Sequence, residues 1–599
     1  MQQKTHYSGI ICDMNNNTET NRGERRPSRR SRRSKRSRTI SNTHPKDQVL
    51  RVCALSGTSE VGRNCNFIEY GGDILVIDAG FSFPGQELYG IDYLIPNISY
   101  LKKNKHRVKG LLITHGHLDH TGAIQYIMED LGNPTIYAGT FANALIKDKL
   151  KETKIHGKTK HVNVHRNTKI KLGVFDVTFI GVTHSIPNAF SIFIESPGGN
   201  VFFSGDYKID MEPENELQTD YKALEALRGR VDLALMESTN PDVEGKAKSA
   251  TEIAGNIETI IKAHNGRVVI AMFSSILSRL YSVIKIAEKQ KKKVFVSGRS
   301  LNTALRIARE HRYISFPDGL ILQDNKVSRY PDDQVLFICT GSQGERYSAL
   351  NRISLGEHKH FKIRSGDLVM LSASEIPTNV GQIEKMTDRL IKQGADILQN
   401  DTESIHESGH ALKMDMKIMY DMVRPKEVLP IHGSLTMRYK NRKNYISWGA
   451  DPEKVHLTDD GQVWELRNGR WKKAEQVESK PILIDGLGVG DIGDVVLKDR
   501  EQLAEYGMVT VMLNLSSKNQ HLIGNPKFVS RGFVYVKTST DLFKQMENIV
   551  LDIHKAWLKK GDAEKVHNTK LLLDNIEKDL SSFIYKKTER EPMILPVII

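Results

Sequence analysis

Four potential metal ligands lie within six residues of the chain, at His115, His117, Asp119 and His120, directly after the strand-like run 110–114. In an extended turn, His115 and His117 point the same way and can hold one ion, whereas Asp119 and His120 face the other way and can hold a second. Imidazole nitrogen with carboxylate oxygen is the ligand mixture typical of zinc, and manganese competes where oxygen ligands dominate. The spacing therefore predicts a two-metal site.

Three further residues are candidates to complete this site. Two metals about 3.5 to 4 Å apart need a shared ligand, and a carboxylate is the usual one because it offers two oxygens. Asp206, in Ser-Gly-Asp, is the candidate for the shared ligand. His184 is a candidate ligand of the first ion and His432 of the second. The alternative for each is an ordinary turn residue, since the sequence alone does not show that they converge.

Short apolar runs that end in polar residues must position these side chains. Such runs occur at residues 74–78, 110–114, 201–206 and 233–237. Polar groups at the carboxyl ends of strands are typical of α/β sheets. Residues 247–400 repeat the pattern with clearer helices, which indicates a second, doubly wound unit. Histidine-bearing segments at 406–410 and 428–433 follow it, so the second unit is predicted to be an insertion into the first.

The chain is predicted to be an α/β protein of several units. Its 599 residues suggest about three or four domains. The predicted boundaries are a disordered basic tail at 1–48, a first unit at 49–246 that resumes at 401–466, the inserted unit at 247–400, a linker at 467–480 and a small α+β unit at 481–599.

Cysteine usage and hydropathy indicate a reduced, cytoplasmic protein without a membrane segment. The four cysteines are scattered and form no closely spaced pair. The sequence contains neither the apolar core of a signal peptide nor an apolar run of 18 residues.

The formal charge of +14 is concentrated in residues 22–38, which hold ten Lys or Arg residues and the single acid Glu24. Residues 1–48 have almost no apolar periodicity, so they cannot bury enough surface to offset the entropy of ordering. We interpret the segment as a polyanion-binding tail that makes sequence-independent contacts with phosphates. A solubility tail and a transit peptide are the alternatives.

Motifs along most of the chain resemble the ribonuclease J family, a group of β-CASP nucleases with the metallo-β-lactamase fold. The resemblance extends from about residue 50 to residue 599 and leaves only the basic tail outside. The motifs that carry it are residues 60–64, 76–80, 90–96, 115–120, 184–187, 340–345, 408–410, 530–535 and 592–597. It implies a metallo-β-lactamase αββα sandwich with an inserted doubly wound β-CASP domain and a small α+β C-terminal domain.

The resemblance implies a role for each candidate residue. His115, His117, His184 and Asp206 would hold one zinc ion, and the other would be held by Asp119, His120, Asp206 and His432. Manganese is the alternative metal. His410 is expected to contact the scissile phosphate, oriented by Glu237, with Asp119 as a further catalytic residue. The expected phosphate pocket consists of His406, Glu407, Ser408, Gly409, His410, Ser372 and Ser374.

The resemblance also implies a separate Ca²⁺-like site at Gly90, Asp92 and Asp485. The implied activity is 5′-to-3′ exonucleolytic cleavage of RNA, with sensing of a 5′-monophosphate, together with endonucleolytic cleavage. The segment after residue 480 is expected to assemble homodimers or homotetramers. RNA-decay or ribosome-associated factors are the expected partners.

Several residues depart from the family's pattern. Ile276 and Ser278 replace an Asn and a His, Asn188 replaces an Asp, and residues 346–347 replace a Pro-Met pair. These changes leave the predicted metal ligands intact and concern the path of the RNA.

Two alternatives to a ribonuclease remain. A small-substrate hydrolase of the metallo-β-lactamase fold could use the same metal ligands, but it would not need the inserted unit or His410. An RNA-binding scaffold with structural metals is the second alternative, and the presence of all seven ligands argues against it.

Overall fold

The computed structural model describes residues 49–85, 87–213, 218–376, 379–400, 403–534, 539–559 and 569–599. The predicted basic tail, residues 1–48, lies outside the described residues.

The first unit begins with twelve strands and five short helices. They are β1 (Leu50–Ser56), β2 (Cys65–Tyr70), β3 (Asp73–Ile77), β4 (Tyr93–Ile95), α1 (Ser99–Lys103), β5 (Val108–Leu112), α2 (Leu118–Thr121), α3 (Ile124–Ile127), β6 (Ile136–Gly139), α4 (Thr140–Leu150), β7 (His161–Val164), β8 (Lys169–Leu172), β9 (Phe175–Val182), β10 (Ala189–Ser196), β11 (Gly199–Phe203), α5 (Tyr221–Glu225) and β12 (Leu233–Glu237).

After the insertion the chain returns to this unit with two helices and three strands. They are α11 (Lys413–Val423), β19 (Glu427–Ile431), α12 (Leu435–Ser447), β20 (Gln462–Arg467) and β21 (Arg470–Gln476).

Two mixed sheets pack face to face in the first unit. Their strand orders are β21-β20-β1-β2-β3-β5-β6-β7 and β19-β12-β11-β10-β9-β8. One core lies between them, where Leu75 and Leu112 of the first sheet share a cluster with Ile192 and Val201 of the second. Separate buried clusters cover the two outer faces together with the helices. Each sheet therefore buries both faces, and the layers form the αββα sandwich that was predicted.

The inserted unit alternates helices and strands. It consists of α6 (Ala250–Ala263), β13 (Val268–Met272), α7 (Leu277–Lys289), β14 (Lys293–Ser297), α8 (Arg299–Glu310), β15 (Ile321–Leu322), β16 (Val335–Cys339), α9 (Ala349–Ser354), β17 (Leu368–Ser372), α10 (Val380–Lys392) and β18 (Asp396–Leu398). Its sheet is parallel throughout, in the order β15-β14-β16-β13-β17-β18. Apolar clusters cover both faces, as a doubly wound unit requires.

The last part of the chain forms a smaller α+β unit. Its elements are β22 (Ile482–Asp485), β23 (Gly488–Val489), α13 (Asp494–Tyr506), β24 (Met508–Leu513), β25 (Lys527–Arg531), α14 (Thr540–Leu558), α15 (Thr569–Thr588) and β26 (Met593–Ile598). The sheet β25-β24-β26 packs against α14 and α15 through one buried cluster. The strand β22 pairs with β4 of the first unit.

The segment predicted to be a linker, residues 467–480, contains a strand over half of its length. Residues Arg470–Gln476 form β21, the edge strand of the first sheet, and pair antiparallel with β20. Only Trp471 is fully buried in this strand. An edge strand with one buried apolar residue lacks the alternation that identifies a strand from sequence.

No helix among the described residues is long and apolar enough to span a membrane.

Candidate active site

Parallel pairing brings the predicted ligands to one edge of the sandwich. In the first sheet, Ile77 of β3 is level with Leu112 of β5, so Asp78 and the 113–120 segment emerge side by side. In the second sheet, Glu237 of β12 is level with Ile431 of β19, so His432 emerges beside Glu237. The carboxyl ends of parallel strands therefore supply the site.

A close backbone approach fixes the ligand loop between β5 and α2. The amide of Ala79 donates to the carbonyl of His120 at 2.8 Å. A Cβ on Gly80 would lie 1.5 Å from the carbonyl oxygen of Asp119, so only glycine fits there. Asp78 accepts hydrogen bonds from the amide and the hydroxyl of Thr114, both at 2.8 Å. Hydrogen bonds therefore hold the loop both at its start, through Thr114, and at its end, through His120.

The first cluster consists of three imidazoles. The Nδ1 atom of His117 lies 3.0 Å from Nε2 of His115 and 3.1 Å from Nε2 of His184. His184 Nδ1 donates to the carbonyl of Gly409 at 2.6 Å, which leaves its Nε2 as an acceptor that faces the cluster. The three ring nitrogens converge on one point, as metal ligands do.

The second cluster combines two carboxylates and two imidazoles. Its members are Asp119, His120, Asp206 and His432. Asp206 Oδ2 lies 3.1 Å from His120 Nε2 and 3.7 Å from His432 Nε2. The same oxygen lies 3.6 Å from His115 Nε2 in the first cluster. Asp206 is therefore positioned between the two clusters, where a shared ligand would lie.

Hydrogen bonds set the tautomers of the second cluster. His120 Nδ1 donates to Asp78 Oδ2 at 2.8 Å, and His432 Nδ1 donates to Asn64 Oδ1 at 2.9 Å. Both rings consequently present Nε2 to the cluster. The Nε2 atom of His432 is buried and has no hydrogen-bond partner among the described residues. A buried acceptor without a partner, aimed at two carboxylates, fits a metal ion.

Burial and neighbouring charges shift the pKa values of His115, His117, His184 and Asp206 in the direction that ligation needs. His120 differs, because burial lowers its pKa but the carboxylates of Asp206, Asp119 and Asp78 outweigh burial and hold that pKa well above its usual range. Burial lowers the pKa of His117 to about 4 and holds the pKa values of His115 and His184 well below the usual range. Burial raises the pKa of Asp206, but His432 and His120 outweigh it and hold that pKa well below its usual range. Neutral imidazoles and ionised carboxylates are the forms that bind a metal.

His410 and Glu237 form a pair beside the clusters. His410 Nδ1 donates to Glu237 Oε2 at 2.8 Å. The other oxygen of Glu237 accepts the amide of Tyr207 at 2.9 Å, and this fixes the carboxylate. Burial lowers the pKa of His410, but Glu237 outweighs it and raises that pKa to about 9. The side chain of His410 is 22% exposed, so its ring can reach a substrate.

The expected phosphate pocket is only partly compatible with the structure. Ser374 is exposed. The Ser408 hydroxyl accepts the amide of His410 and donates to its carbonyl, and so shapes the Ser408–Gly409–His410 turn. His406 is 7% exposed, and burial lowers its pKa to about 3, so this ring is neutral.

Ser372 and Glu407 do not fit the predicted role of phosphate ligands. Ser372 is fully buried, its hydroxyl donates to the carbonyl of Ile405 and it accepts a hydrogen bond from Arg279. Glu407 is a buried carboxylate that pairs with Arg279 and Lys208. An enclosed hydroxyl cannot reach a ligand, and a carboxylate repels a phosphate.

The residues predicted for the Ca²⁺-like site do not fit a divalent cation. Arg500 Nη2 contacts Asp485 Oδ2 at 2.6 Å, and Arg500 Nη1 donates to the carbonyl of Tyr89 at 3.0 Å. A Cβ on Gly90 would lie 2.7 Å from the same Nη1 atom. Asp92 accepts the amide of Gly486 at 2.8 Å. A guanidinium therefore lies between Gly90 and Asp485, where the cation was expected.

The residues that depart from the family's pattern have local partners or are buried. Asn188 has a φ of 60°, a conformation that asparagine tolerates, and it accepts the amide of Phe141 at 3.2 Å. Ile276 and Ser278 are both buried at the start of α7. Arg346 stacks over the exposed ring of Tyr347.

Asn64 is a site residue that the sequence reasoning did not single out. Its Oδ1 accepts from His432, and its Nδ2 donates to the carbonyl of Asp119 at 3.2 Å. The same nitrogen lies 3.1 Å from His120 Nε2. The only sequence signal was its place at the end of the 60–64 motif, because its partners are 56 and 368 residues away.

The fold and the site define a hydrolase of the metallo-β-lactamase superfamily. Residues 58–228 match the model of the metallo-beta-lactamase superfamily. Residues 265–390 match the ribonuclease J beta-CASP domain, and residues 495–599 match the ribonuclease J C-terminal domain.

Full-length relatives identify the family. The chain is 34% identical over 561 residues to ribonuclease J 1 of Streptococcus pyogenes, which covers 94% of this chain and 99% of the relative. It is 33% identical over 550 residues to ribonuclease J2 of Bacillus subtilis, covering 92% and 98% of the two chains. The protein belongs to the ribonuclease J family, and it is a metal-dependent ribonuclease.

A solved structure shares the fold. A protein of unknown function from Enterococcus faecalis matches with a TM-score of 0.50 at 14% identity, over 70% of this chain and all of the other. At this identity the match concerns the fold alone.

Proposed function

We propose that the protein hydrolyses RNA phosphodiester bonds at a two-metal centre built from His115, His117, His184, Asp206, Asp119, His120 and His432. The observation that carries the proposal is the position of Asp206 Oδ2, within 3.7 Å of imidazole nitrogens from both clusters. Nitrogen-rich ligand sets favour zinc, and manganese is the alternative ion.

The proposed division of ligands follows the clusters. His115, His117 and His184 hold one ion, Asp119, His120 and His432 hold the other, and Asp206 is shared. Bound there, two metal ions supply a hydroxide at neutral pH and neutralise charge that develops on the phosphate oxygens.

His410 acts on the leaving group in this proposal. Its Nδ1 proton is held by Glu237, so its Nε2 atom is the one available to the substrate. An imidazolium at this position donates a hydrogen bond to a phosphate oxygen or protonates the departing hydroxyl. Glu237 is the positioning residue, because its second oxygen is fixed by the amide of Tyr207.

The proposed activity includes internal cleavage and 5′-to-3′ trimming. Both follow from the resemblance to the ribonuclease J family. Selection of a 5′-monophosphate, which the resemblance implies, is part of the same proposal.

The proposal extends to location, assembly and partners. Cys53, Cys65 and Cys339 are buried and unpaired, which fits the reducing cytoplasm. The C-terminal unit is proposed to mediate a homodimer or homotetramer. RNA-decay or ribosome-associated factors are the proposed protein partners.

The test measures cleavage of a labelled single-stranded RNA together with the metal content of the purified protein. Asp119→Ala removes one ligand of the second cluster, so we expect loss of about one metal ion per chain and a fall in kcat of at least about 10³-fold. Asp130→Ala is the matched control, because Asp130 pairs with Lys102 at the surface. Cleavage by Asp119→Ala at the rate of the unmodified protein would contradict the proposal.

A further inference from the structure

The helix α12 carries four basic residues and no acidic one. The basic residues are Arg438, Lys440, Arg442 and Lys443. The helix begins three residues after the predicted metal ligand His432, which follows the carboxyl end of β19. A run of uncompensated positive charge in the sequence therefore starts at the edge of the first unit that carries the predicted metal ligands.

One face of α12 is buried and is bonded to the chain beside the candidate site. Arg438 Nε donates to the carbonyl of Gly433 at 3.1 Å. Asn441 Nδ2 donates to the carbonyl of Glu237 and to the hydroxyl of Ser238, both at 3.0 Å. The Arg438 and Asn441 residues are at most 1% exposed. These bonds fix the position of the helix relative to the site and leave its other face to the solvent.

The exposed face of α12 combines an apolar, an aromatic and a basic side chain. Leu435, Tyr439 and Lys443 recur every four residues, so they lie in one row, which we call the α12 ridge. Leu435 is 58% exposed and Tyr439 is 46% exposed. Lys443 Nζ lies 4.7 Å from the centroid of the Tyr439 ring, and Lys443 forms no ion pair with a described residue. An accessible ring therefore lies next to a cation that no carboxylate neutralises.

The basic residues on either side of the ridge add to its positive charge. Arg442 donates to the carbonyls of Val455 and Pro452, both at 2.8 Å, and neutral carbonyl groups leave its charge uncompensated. Lys440 pairs with Asp242 at the surface, where the two side chains are 45% and 53% exposed. Positive charge therefore exceeds negative charge along this face of the helix.

We infer that the α12 ridge binds the single-stranded RNA substrate beside the metal centre, with a base stacked on Tyr439 and a backbone phosphate at Lys443. The inference rests on the proposed function, which is RNA hydrolysis. Aromatic rings stack on any base, and cations attract the backbone whatever its sequence. At 1.5 Å per residue, Lys443 lies about 12 Å beyond Leu435 along the helix. The ridge therefore contacts nucleotides next to the cleaved bond and contributes to binding rather than to the chemical step.

The first test removes the ring and measures kcat and KM for a single-stranded RNA with the full-length, metal-loaded protein. We expect Tyr439→Ala to raise KM about 5- to 100-fold, because a stacked base loses its partner, and to leave kcat within about twofold. Tyr439→Phe keeps the ring and should match the unmodified protein. Metal content should be equal in all three proteins.

Two results of this test would overturn the role of the ridge. One is a KM that is the same for Tyr439→Ala and the unmodified protein. The other is a fall in kcat at unchanged KM, because the substitution would then act on the metal centre and not on RNA binding. Failure of the unmodified protein to cleave RNA would reject the proposed function instead.

The second test removes the cation and measures RNA binding by fluorescence anisotropy at several salt concentrations. Loss of one phosphate contact in Lys443→Ala should flatten the plot of log K against log salt by about 0.7, and Lys443→Arg should restore the slope. Lys285→Ala is the matched control. Lys285 also lies over a tyrosine four residues earlier, Tyr281, at 5.9 Å, but Glu288 already neutralises it at 2.8 Å. An equal slope for Lys443→Ala and the unmodified protein would contradict the phosphate contact.

Discussion

Two residues of the site adopt the left-handed backbone conformation that side chains usually avoid. Asp78 has a φ of 61° and His432 a φ of 55°. Such a conformation costs on the order of 1 kcal/mol or more for a residue with a side chain. Hydrogen bonds compensate, because Asp78 binds Thr114 and His120, and the amide of His432 donates to the carbonyl of Gly57 at 3.2 Å. Both strained residues lie in the candidate site, where the backbone conformation sets the direction of the side chains.

Asn64→Ala tests the tautomer control of His432 at the residue scale. Without the amide oxygen, His432 Nδ1 loses its acceptor and the ring is free to turn. We expect the affinity for the second metal to fall about 10- to 100-fold, as measured by competition with a chromogenic chelator. Asn64→Asp retains the acceptor and should restore most of the affinity. Equal metal affinity for the alanine variant and the unmodified protein would exclude this role.

At the scale of elements, strand pairing, the carboxylate of Asp92 and the guanidinium of Arg500 all help to join the C-terminal unit to the first unit. Ile482, Leu483 and Ile484 of β22 pair with β4. Arg500 of α13 reaches back to Asp485 and to the carbonyl of Tyr89. The arginine thus joins α13, β22 and the loop that leads to β4.

Arg500→Ala tests this junction. The Arg500 and Asp485 side chains are 29% and 32% exposed, so we expect a loss of only about 1 kcal/mol of stability. Thermal unfolding of the unmodified protein should be the same with Ca²⁺ and with a calcium chelator. Arg309→Ala, which breaks a more exposed pair with Asp318, serves as the control and should have little effect. A rise in the melting temperature of the unmodified protein with Ca²⁺ would show that the guanidinium does not replace the cation.

At the scale of the whole molecule, the inserted unit contacts the edge of the first unit that carries the predicted metal ligands. The amide of Leu277 in α7 donates to the carbonyl of Ser185, next to the predicted ligand His184. Tyr313 donates to Asn188, and Arg306 contacts Asp148 at 2.7 Å. The two units therefore meet beside the candidate site.

The basic segment at 22–38 is expected to contribute electrostatic RNA affinity that does not depend on sequence. Deletion of residues 1–48 should flatten the plot of log K against log salt by about one unit for each phosphate that the tail neutralises. Deletion of residues 1–21 is the control, because that stretch contains one lysine and no arginine. The measurement is RNA binding by fluorescence anisotropy at several salt concentrations. Equal slopes for the full chain and the 1–48 deletion would exclude the tail from binding.

The sequence by itself determined the ligand types, most strands and the fold class. Local spacing was sufficient to predict a metal site at residues 115–120, because few other functions require four potential metal ligands in one loop. The helix at 540–558 was also predictable, since its apolar residues Phe543, Met546, Val550 and Trp557 recur at helical spacing and are buried. The strand β21 was missed because an edge strand needs little apolar patterning.

Only the tertiary structure decided what several charged and polar residues do. Glu407 pairs with Arg279, 128 positions earlier in the sequence, and Arg500 takes the place that was assigned to a cation. Asn64 directs a histidine 368 residues away. A side chain's electrostatic partners depend on which distant segments pack beside it. This packing cannot be predicted from the spacing of residues along the sequence. The sequence therefore predicted the metal ligands, whereas the fold determined which residues pair with the buried and partly buried charges.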